Sequence, residues 1–388
     1  MTRTMRALQI VMFLTVMCLL TWGLHHYIWA RFVRDPEWPA LWTRAGTWAL
    51  VAAGVMVPLG MLLNRALPRA VMAPIAWAVF SWMGLAFFLF LGLATTDGAR
   101  ALMAAVSGAQ DPERRRFMAR LMASAVGVAG LAAGLFAMRT ALAPWTIRTV
   151  RVRVSGLPEA LKGMRIVQLT DVHVGPTIGR DFITGMVRAV NRLNPDVIAI
   201  TGDLVDGPVS ELGVHVAPLA DLRAKHGTFF VTGNHEYYSG VAEWVAELGR
   251  LGVRVLDNER VAVGDGEHVI DLAGVNDWSA RRFDVFKPDL AKALRGRDSA
   301  RPVVLLAHQP KIIKQAAEAR VDLVLSGHTH GGQIWPWTKL VALDQPYLAG
   351  LHREEHTQIY VSEGTGYWGP PMRIGTAPEI TEIILDRA

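Results

Sequence analysis

The sequence predicts an α-helical transmembrane region followed by a soluble α/β domain, and three observations point that way. Apolar runs dominate before about residue 143, whereas charged residues alternate with short apolar stretches after about residue 150. The chain is 51% hydrophobic with a mean hydropathy of +0.25, high for a protein with 19% charged residues. In the second half, short apolar runs end repeatedly in clusters of Asp, His, Asn and Gly. The composition shift divides the chain into a membrane region over 1–143 and a second domain over 144–388.

A helix needs about 20 mostly apolar residues to cross the hydrocarbon, because each backbone group must be satisfied internally. Stretches at roughly 7–29, 45–63, 70–94 and 121–142 qualify. They lack the polar faces at helical spacing that a soluble bundle requires. Trp22, Tyr27, Trp29, Trp38 and Trp42 gather where the first span ends and the second begins, and amphipathic rings favour that interface. The net charge of +6 suggests an anionic partner. Arg31, Arg34, Arg65, Arg69 and Arg114 to Arg116 flank the spans, which makes that partner the lipid bilayer and not nucleic acid.

Four spans place the N-terminus and the second domain on one side of the membrane. The arginines divide almost evenly between the two faces, so the positive-inside rule gives only a lean toward a cytoplasmic domain, and the membrane is the plasma (inner) membrane if the source is bacterial. The single cysteine, Cys18, falls inside the first span and excludes an intrachain disulfide or a cysteine metal site. His25 and His26 end the same span. Adjacent helical residues point apart, so they read as an interfacial pair and not as haem ligands.

In the second domain, residues 149–154 alternate as a strand. Five short apolar runs then lead into polar clusters. Residues 165–169 precede Thr170-Asp171-Val172-His173, 197–200 precede Gly202-Asp203, and 228–231 precede Gly233-Asn234-His235-Glu236. Residues 303–306 precede His308-Gln309-Pro310, and 323–325 precede Gly327-His328-Thr329-His330. Such runs read as buried strands, with helices over 181–193 and 241–251 between the early ones. Sites in open α/β sheets form at the carboxyl ends of strands, which would bring the five clusters together.

Those residue types are metal ligands. Asp171 and His173 are two apart and share one face if the strand continues through them, so both reach one ion. His328 and His330 repeat the spacing. Asp203 can give one carboxylate oxygen to each of two ions, Asn234 an amide oxygen and His308 an imidazole. Oxygen and imidazole without thiolate suit Mn, Fe, Zn or Co. Gly202, Gly233 and Gly327 would let the backbone turn sharply below the ligands.

In order and spacing, these blocks resemble the calcineurin-like metallophosphoesterase superfamily, whose pattern is D-x-H, G-D, G-N-H-[DE], H and G-H-x-H. LTDVHVG, TGDLVDG, TGNHEYY, LLAHQP and SGHTHGGQ, followed by SEGTGYWGPPMRIGTAPEI, are similar to its YkuE/YaeI-like branch in particular. The resemblance covers residues 148–388. It implies two packed β-sheets flanked by helices and a centre of two divalent metal ions. Asp171, His173, Asp203 and His330 would hold one ion, and Asp203, Asn234, His308 and His328 the other. Asp203 and His235 would be the catalytic pair, His235 stabilising the transition state or protonating the leaving oxygen.

The implied activity is hydrolysis of a phosphodiester or pyrophosphate bond. Two ions about 3.5–4 Å apart hold a bridging hydroxide and clamp the attacking and leaving oxygens. Membrane attachment points to a phospholipid or a lipid-linked nucleotide as substrate. A general nucleotide or phosphodiester hydrolase is the alternative among enzymes. A membrane receptor or scaffold with a binding-only domain is the alternative from another class, and its mark would be a degenerate site; every expected ligand is present.

Two further patterns are set aside. Gly364 to Gly369 matches G-x-G-x-x-G, but Pro370 and Pro371 follow where a dinucleotide site needs a helix, so a loop near the metals is expected. His352 to His356 matches H-x-x-E-H, but the strand-like residues 357–362 after it imply a hairpin. Trp335-Pro336-Trp337 reads either as a packed loop or as an apolar lip facing lipid.

Overall fold

The computed structural model describes residues 3–63, 67–104 and 111–388. It divides into two compact units: Met1–Arg139 with Gly369–Met372, and Thr140–Trp368 with Arg373–Ala388.

The first unit is helical: α1 (Arg3–Trp29), α2 (Ala40–Leu63), α3 (Arg69–Ala104) and α4 (Pro112–Ala141), with a π-helical turn over Ala30–Arg34. The last three are each long and apolar enough to cross a membrane, with at most 28% of their most apolar stretch buried. Their apolar side chains therefore point outward, as lipid-facing helices require. The protein is thus an integral membrane protein. The first predicted span falls on α1, whereas Arg65 lies outside the described residues. Helices α3 and α4 outrun the predicted apolar stretches, because residues such as Arg114 to Arg116 are good helix formers wherever the apolar run stops.

Among the described residues, Tyr27, Arg31, Asp97 and His25 pair their polar groups within this unit. Tyr27 Oη donates to Asp97 Oδ2 at 2.7 Å, and Arg31 Nε donates to the same oxygen at 2.8 Å. His25 is buried, with Nδ1 2.7 Å from the Thr21 carbonyl and Nε2 accepting from Trp82 Nε1 at 2.8 Å. His26 is exposed and stacks on Trp22. The two histidines point apart, as adjacent helical positions must.

The second unit contains strands β1 (Thr146–Val154), β2 (Arg165–Leu169), β3 (Val197–Ile200), β4 (Thr228–Phe230), β5 (Arg254–Val255), β6 (Glu259–Asp265), β7 (His268–Gly274), β8 (Val303–Leu306), β9 (Leu323–Ser326), β10 (Gly350–Glu354), β11 (Thr357–Val361) and β12 (Glu379–Arg387). They form two mixed six-stranded sheets, ordered β1-β12-β2-β3-β4-β5 and β10-β11-β9-β8-β7-β6. Strands β2, β3 and β4 run parallel, as do β7, β8 and β9.

Side-chain alternation shows why the sheets pack. Val197 and Ala199 of β3 join the core between the sheets, while Ile198 and Ile200 face outward. Val304 and Leu306 of β8 join the same inner core, while Val303 and Leu305 face away. Both faces are apolar, so each sheet must be covered twice. Helices α5 (Arg180–Asn191), α6 (Val209–Val216) and α8 (Val241–Arg250) cover the first sheet with Ile183, Met186, Leu212, Trp244 and Leu248; α7 (Asn234–Ser239) precedes α8. Helices α9 (Leu290–Ala293) and α10 (Ile313–Glu318) cover the second with Leu290, Ile313 and Ala316. This is the predicted pair of packed sheets flanked by helices.

The hairpin expected at 352–356 is present, β10 pairing antiparallel with β11 across Glu355-His356. Arg148, Arg151 and Arg153 lie on the edge strand β1, where charged side chains also discourage further strand pairing.

Candidate metal centre

Every predicted ligand lies just beyond a strand terminus. Asp171 and His173 follow β2, Asp203 follows β3 and Asn234 follows β4, all in the first sheet. His308 follows β8, and His328 and His330 follow β9, in the second. Packing the two sheets brings these carboxyl ends together.

The local reason differs from the one predicted. Asp171 and His173 are not on a strand; their φ angles are 53° and 55°, and those of Asp203, His328 and His330 are 50°, 72° and 51°. Non-glycine residues avoid this left-handed region, so the ligand loops are strained and held by their surroundings. Asp171 N donates to the Gly202 carbonyl at 3.0 Å, His173 N to the Asp203 carbonyl at 3.1 Å and Gly366 N to the Asp171 carbonyl at 3.0 Å. Nor do His328 and His330 share one cluster. His330 joins Asp171 and His173, while His328 joins Asp203 and His308.

The glycines also act in two ways. Gly202 needs its φ of +91°, as expected for a turn. Gly233 and Gly327 are required by close approach instead: a Cβ would sit 2.2 Å from Asp203 Oδ1 and 2.2 Å from Asp171 Oδ2, respectively.

In the first cluster, His330 Nε2 lies 3.4 Å from Asp171 Oδ1 and 3.1 Å from His173 Nε2. In the second, His308 Nε2 lies 3.1 Å from both Asp203 Oδ2 and His328 Nδ1. Asp203 stands between them, since its Oδ2 is also 4.0 Å from His173 Nε2 and 3.9 Å from His235 Nε2. His235, with His173 and Asp203, makes a third possible grouping. Its side chain is 17% exposed, against 2% for His173 and 0% for His308, so it faces the opening of the site.

These residues fit divalent cations. His308 Nδ1 is 2.8 Å from the Thr201 carbonyl, which only accepts, so Nδ1 carries the hydrogen. In the neutral ring Nε2 is then a lone pair, facing a carboxylate oxygen and a second imidazole nitrogen. Acceptors converging so closely repel unless a proton or a metal ion lies among them. Asn234 Oδ1 is buried without a hydrogen-bond partner, a costly arrangement that an oxygen-binding cation relieves. The two Asp/His clusters are therefore compatible with two divalent ions.

Electrostatics follow from burial and these contacts. Burial pushes the Asp203 carboxyl up, but the facing charges of His308 and His235 hold it well below the usual range. Burial disfavours the charged His308 ring, yet Asp203 raises its pKa well above the ordinary value. Burial and the His308 charge push His328 down to about 3, and burial with His173 pushes His330 well below its ordinary value. Both stay neutral, the form that ligates.

Sequence reasoning missed the residues that hold the ligands. Asp206 Oδ1 accepts from His173 Nδ1 at 3.2 Å and from His235 Nδ1 at 2.5 Å. Glu236 is buried and accepts from the backbone N–H of Asp203, Leu204 and Gly233. Arg373 is fully buried and donates to the carbonyls of Glu363 and Gly366 at 2.8 and 2.7 Å, with a longer bond to that of His330. Their signals were Asp206 three residues after Asp203 in TGDLVDG, the last letter of the GNHE block, and a lone arginine in GPPMRIG.

The Gly364–Gly369 segment is indeed a loop against the centre, since a Cβ on Gly364 would lie 3.1 Å from that of Asp171. Trp335 and Trp337 are 55% and 53% exposed, so the loop that carries them does not pack its indoles away.

Comparison with known proteins agrees with this geometry. Residues 164–332 match the calcineurin-like phosphoesterase family. A transmembrane protein with metallophosphoesterase domain from Danio rerio is 41% identical over 329 residues, covering 80% of this chain and 73% of that protein. Its counterpart from Bos taurus is 48% identical over 257 residues, covering 63% of this chain and 58% of its own length. The uncharacterized metallophosphoesterase YkuE of Bacillus subtilis is 28% identical over 289 residues, 70% of this chain and 97% of its own. The chain therefore belongs to the calcineurin-like metallophosphoesterases, as a membrane-anchored protein with a metal-dependent phosphoesterase domain.

Proposed function

We propose that this domain hydrolyses a phosphodiester or pyrophosphate bond of a lipid-bearing substrate at the membrane. In this reading Asp171, His173, Asp203 and His330 hold one divalent ion, and Asp203, Asn234, His308 and His328 the other. The observation that carries it is the position of Asp203 Oδ2, within 4.0 Å of nitrogens from His308, His235 and His173 on both sheets. When bound, the ions supply Lewis acidity and a nucleophile at neutral pH.

The chain's own residues do the rest. Asp203 ties the two clusters together. Asp206 accepts from His235 Nδ1, which aims Nε2 toward the centre and favours the protonated ring. The Asp203 charge and the Asp206 bond outweigh burial and raise the His235 pKa to about 9, so His235 holds a proton to give to the leaving oxygen. In-line displacement by water then needs no phosphoenzyme.

The lipid part of the reading rests on exposed apolar side chains beside the ligand loop. Trp335, Trp337, Leu340 and Leu343 lie in the segment after His330, and each is more than half exposed in a protein that also spans the membrane. Placement in the YkuE/YaeI-like branch is supported by the LTDVHVG to SGHTHGGQ blocks and the YkuE similarity.

Mn²⁺-dependent hydrolysis of bis-p-nitrophenyl phosphate, wild type beside Asp203→Ala, tests the reaction. Turnover requiring both metal and Asp203 is expected, and equal turnover by Asp203→Ala would overturn it. Replacing Trp335 and Trp337 with Ser should slow a phospholipid diester more than a soluble one. Equal effects on the two would remove the lipid assignment.

A further inference from the structure

His235 meets two large aromatic rings that the mechanism does not use. Its imidazole meets the Tyr238 ring at a centroid distance of 5.5 Å and 74°, and the Trp368 ring at 5.7 Å and 72°. Both rings stand steeply to the imidazole, as walls to a floor. Tyr238 is 59% exposed and Trp368 56% exposed, although both adjoin a centre whose ligands are buried. Among the described residues no ring contact joins Tyr238 to Trp368, so the two rings do not stack on each other; Tyr238 also lies 6.2 Å from the Phe283 ring.

The walls are held in place. Gln333 donates from Nε2 to the Trp368 carbonyl at 2.9 Å and accepts from the Trp368 N–H at 3.0 Å. Gln333 does this from a left-handed backbone with φ 51° and ψ −54°, outside the regions that side-chain-bearing residues favour. Strain of that kind persists only where the surroundings enforce it. Tyr238 sits on α7 two residues after Glu236, and Glu236 anchors that turn to three backbone N–H groups. Two aromatic rings left exposed yet fixed against one histidine describe a binding surface. They do not describe a packing defect, because neither ring gains much burial.

We propose that Tyr238 and Trp368 wall a leaving-group subsite that takes a planar aromatic ring, such as a nucleobase or an aryl group. The proposal rests on the reading above, in which His235 faces the leaving oxygen. Whatever that oxygen carries must then lie along the two rings. Flat aromatic walls favour a flat partner, since stacking adds to plain apolar contact. The aliphatic side chains Leu340 and Leu343 belong instead to the neighbouring exposed segment, which includes α11 (Thr338–Val341).

The test compares two diesters with leaving alcohols of similar acidity, methyl phenyl phosphate and methyl hexafluoroisopropyl phosphate, on full-length Mn²⁺-loaded protein. The ratio of their kcat/KM values is read in wild type, Trp368→Leu, Trp368→Phe and Tyr238→Leu. A general loss of rate or of folded protein cancels in that ratio. Wild type is expected to favour the phenyl ester by about tenfold. Trp368→Leu and Tyr238→Leu should lose the preference, and Trp368→Phe should keep it. A wild-type ratio near one, or Leu variants with the wild-type ratio, would overturn the subsite while leaving the hydrolase reading intact. Metal-loaded protein that hydrolyses neither diester nor bis-p-nitrophenyl phosphate would overturn the phosphodiester reading, and the subsite with it.

Discussion

Asp206 Oδ1 receives the Nδ1 hydrogen of His235 at 2.5 Å, and the same oxygen lies 3.2 Å from Nδ1 of the proposed ligand His173. One carboxylate thus orients both the proposed general acid and a proposed metal ligand. Partners of this kind set ring tautomer and basicity. Asp206→Asn should retain bound metal and lower kcat by about 10- to 100-fold. Metal content and kcat measured together check this; loss of metal in proportion to rate would make Asp206 a structural residue only.

The Asp206–His235 pair also makes a pH prediction for protein stripped of metal. His235 has its pKa raised to about 9 in the folded state, against 6.5 unperturbed. Its contribution to stability is fully present below pH 6.5 and is lost as pH rises through about 9. The Tm of chelator-treated protein should therefore fall between those values, and Asp206→Asn should flatten the fall. An unchanged slope in the variant would show that another group controls it.

Replacing the two catalytic candidates should separate binding from chemistry. Asp203→Ala removes the shared carboxylate and should lose metal and activity together. His235→Ala should keep the metals and lose about 10²- to 10⁴-fold in rate. Metal analysis beside turnover distinguishes the two, and a fully active His235→Ala protein would end its assignment.

Added Mn²⁺ should raise the Tm of chelator-treated wild type, because a ligand that binds only the folded state stabilises it. The same addition should leave Asp203→Ala unchanged. An equal rise in both proteins would place the ion elsewhere.

Arg373 is a stability residue by its contacts. It is fully buried, and burial lowers its pKa to about 10. Its guanidinium fills the carbonyls of Glu363 and Gly366, so Arg373→Met orphans two buried acceptors at about 1–3 kcal/mol each. A drop in denaturant midpoint checks this. Arg373→Lys should recover only part of the loss, since one ammonium cannot reproduce the planar fork.

The chemistry was legible in the sequence because it depends on residue type and order. Apolar runs ending in Asp, His, Asn and Gly identified β2, β3, β4, β8 and β9 to within a residue, since short buried strands need continuous apolar residues. The helices α2, α3 and α4 were legible for the same reason, that hydrocarbon tolerates few polar side chains. Tertiary structure decided what depends on meeting across the chain. Strand spacing alone would group His328 with His330, although the family resemblance divides them; left-handed backbone at both turns them to different clusters. Asp206, Glu236 and Arg373 act through groups that only folding brings to them, and Trp368 reaches His235 from 133 positions away along the sequence. A sequence names the ligands that a metal requires. Which carboxylate aims them, and which ring stands beside them, follows only when two sheets close on one another.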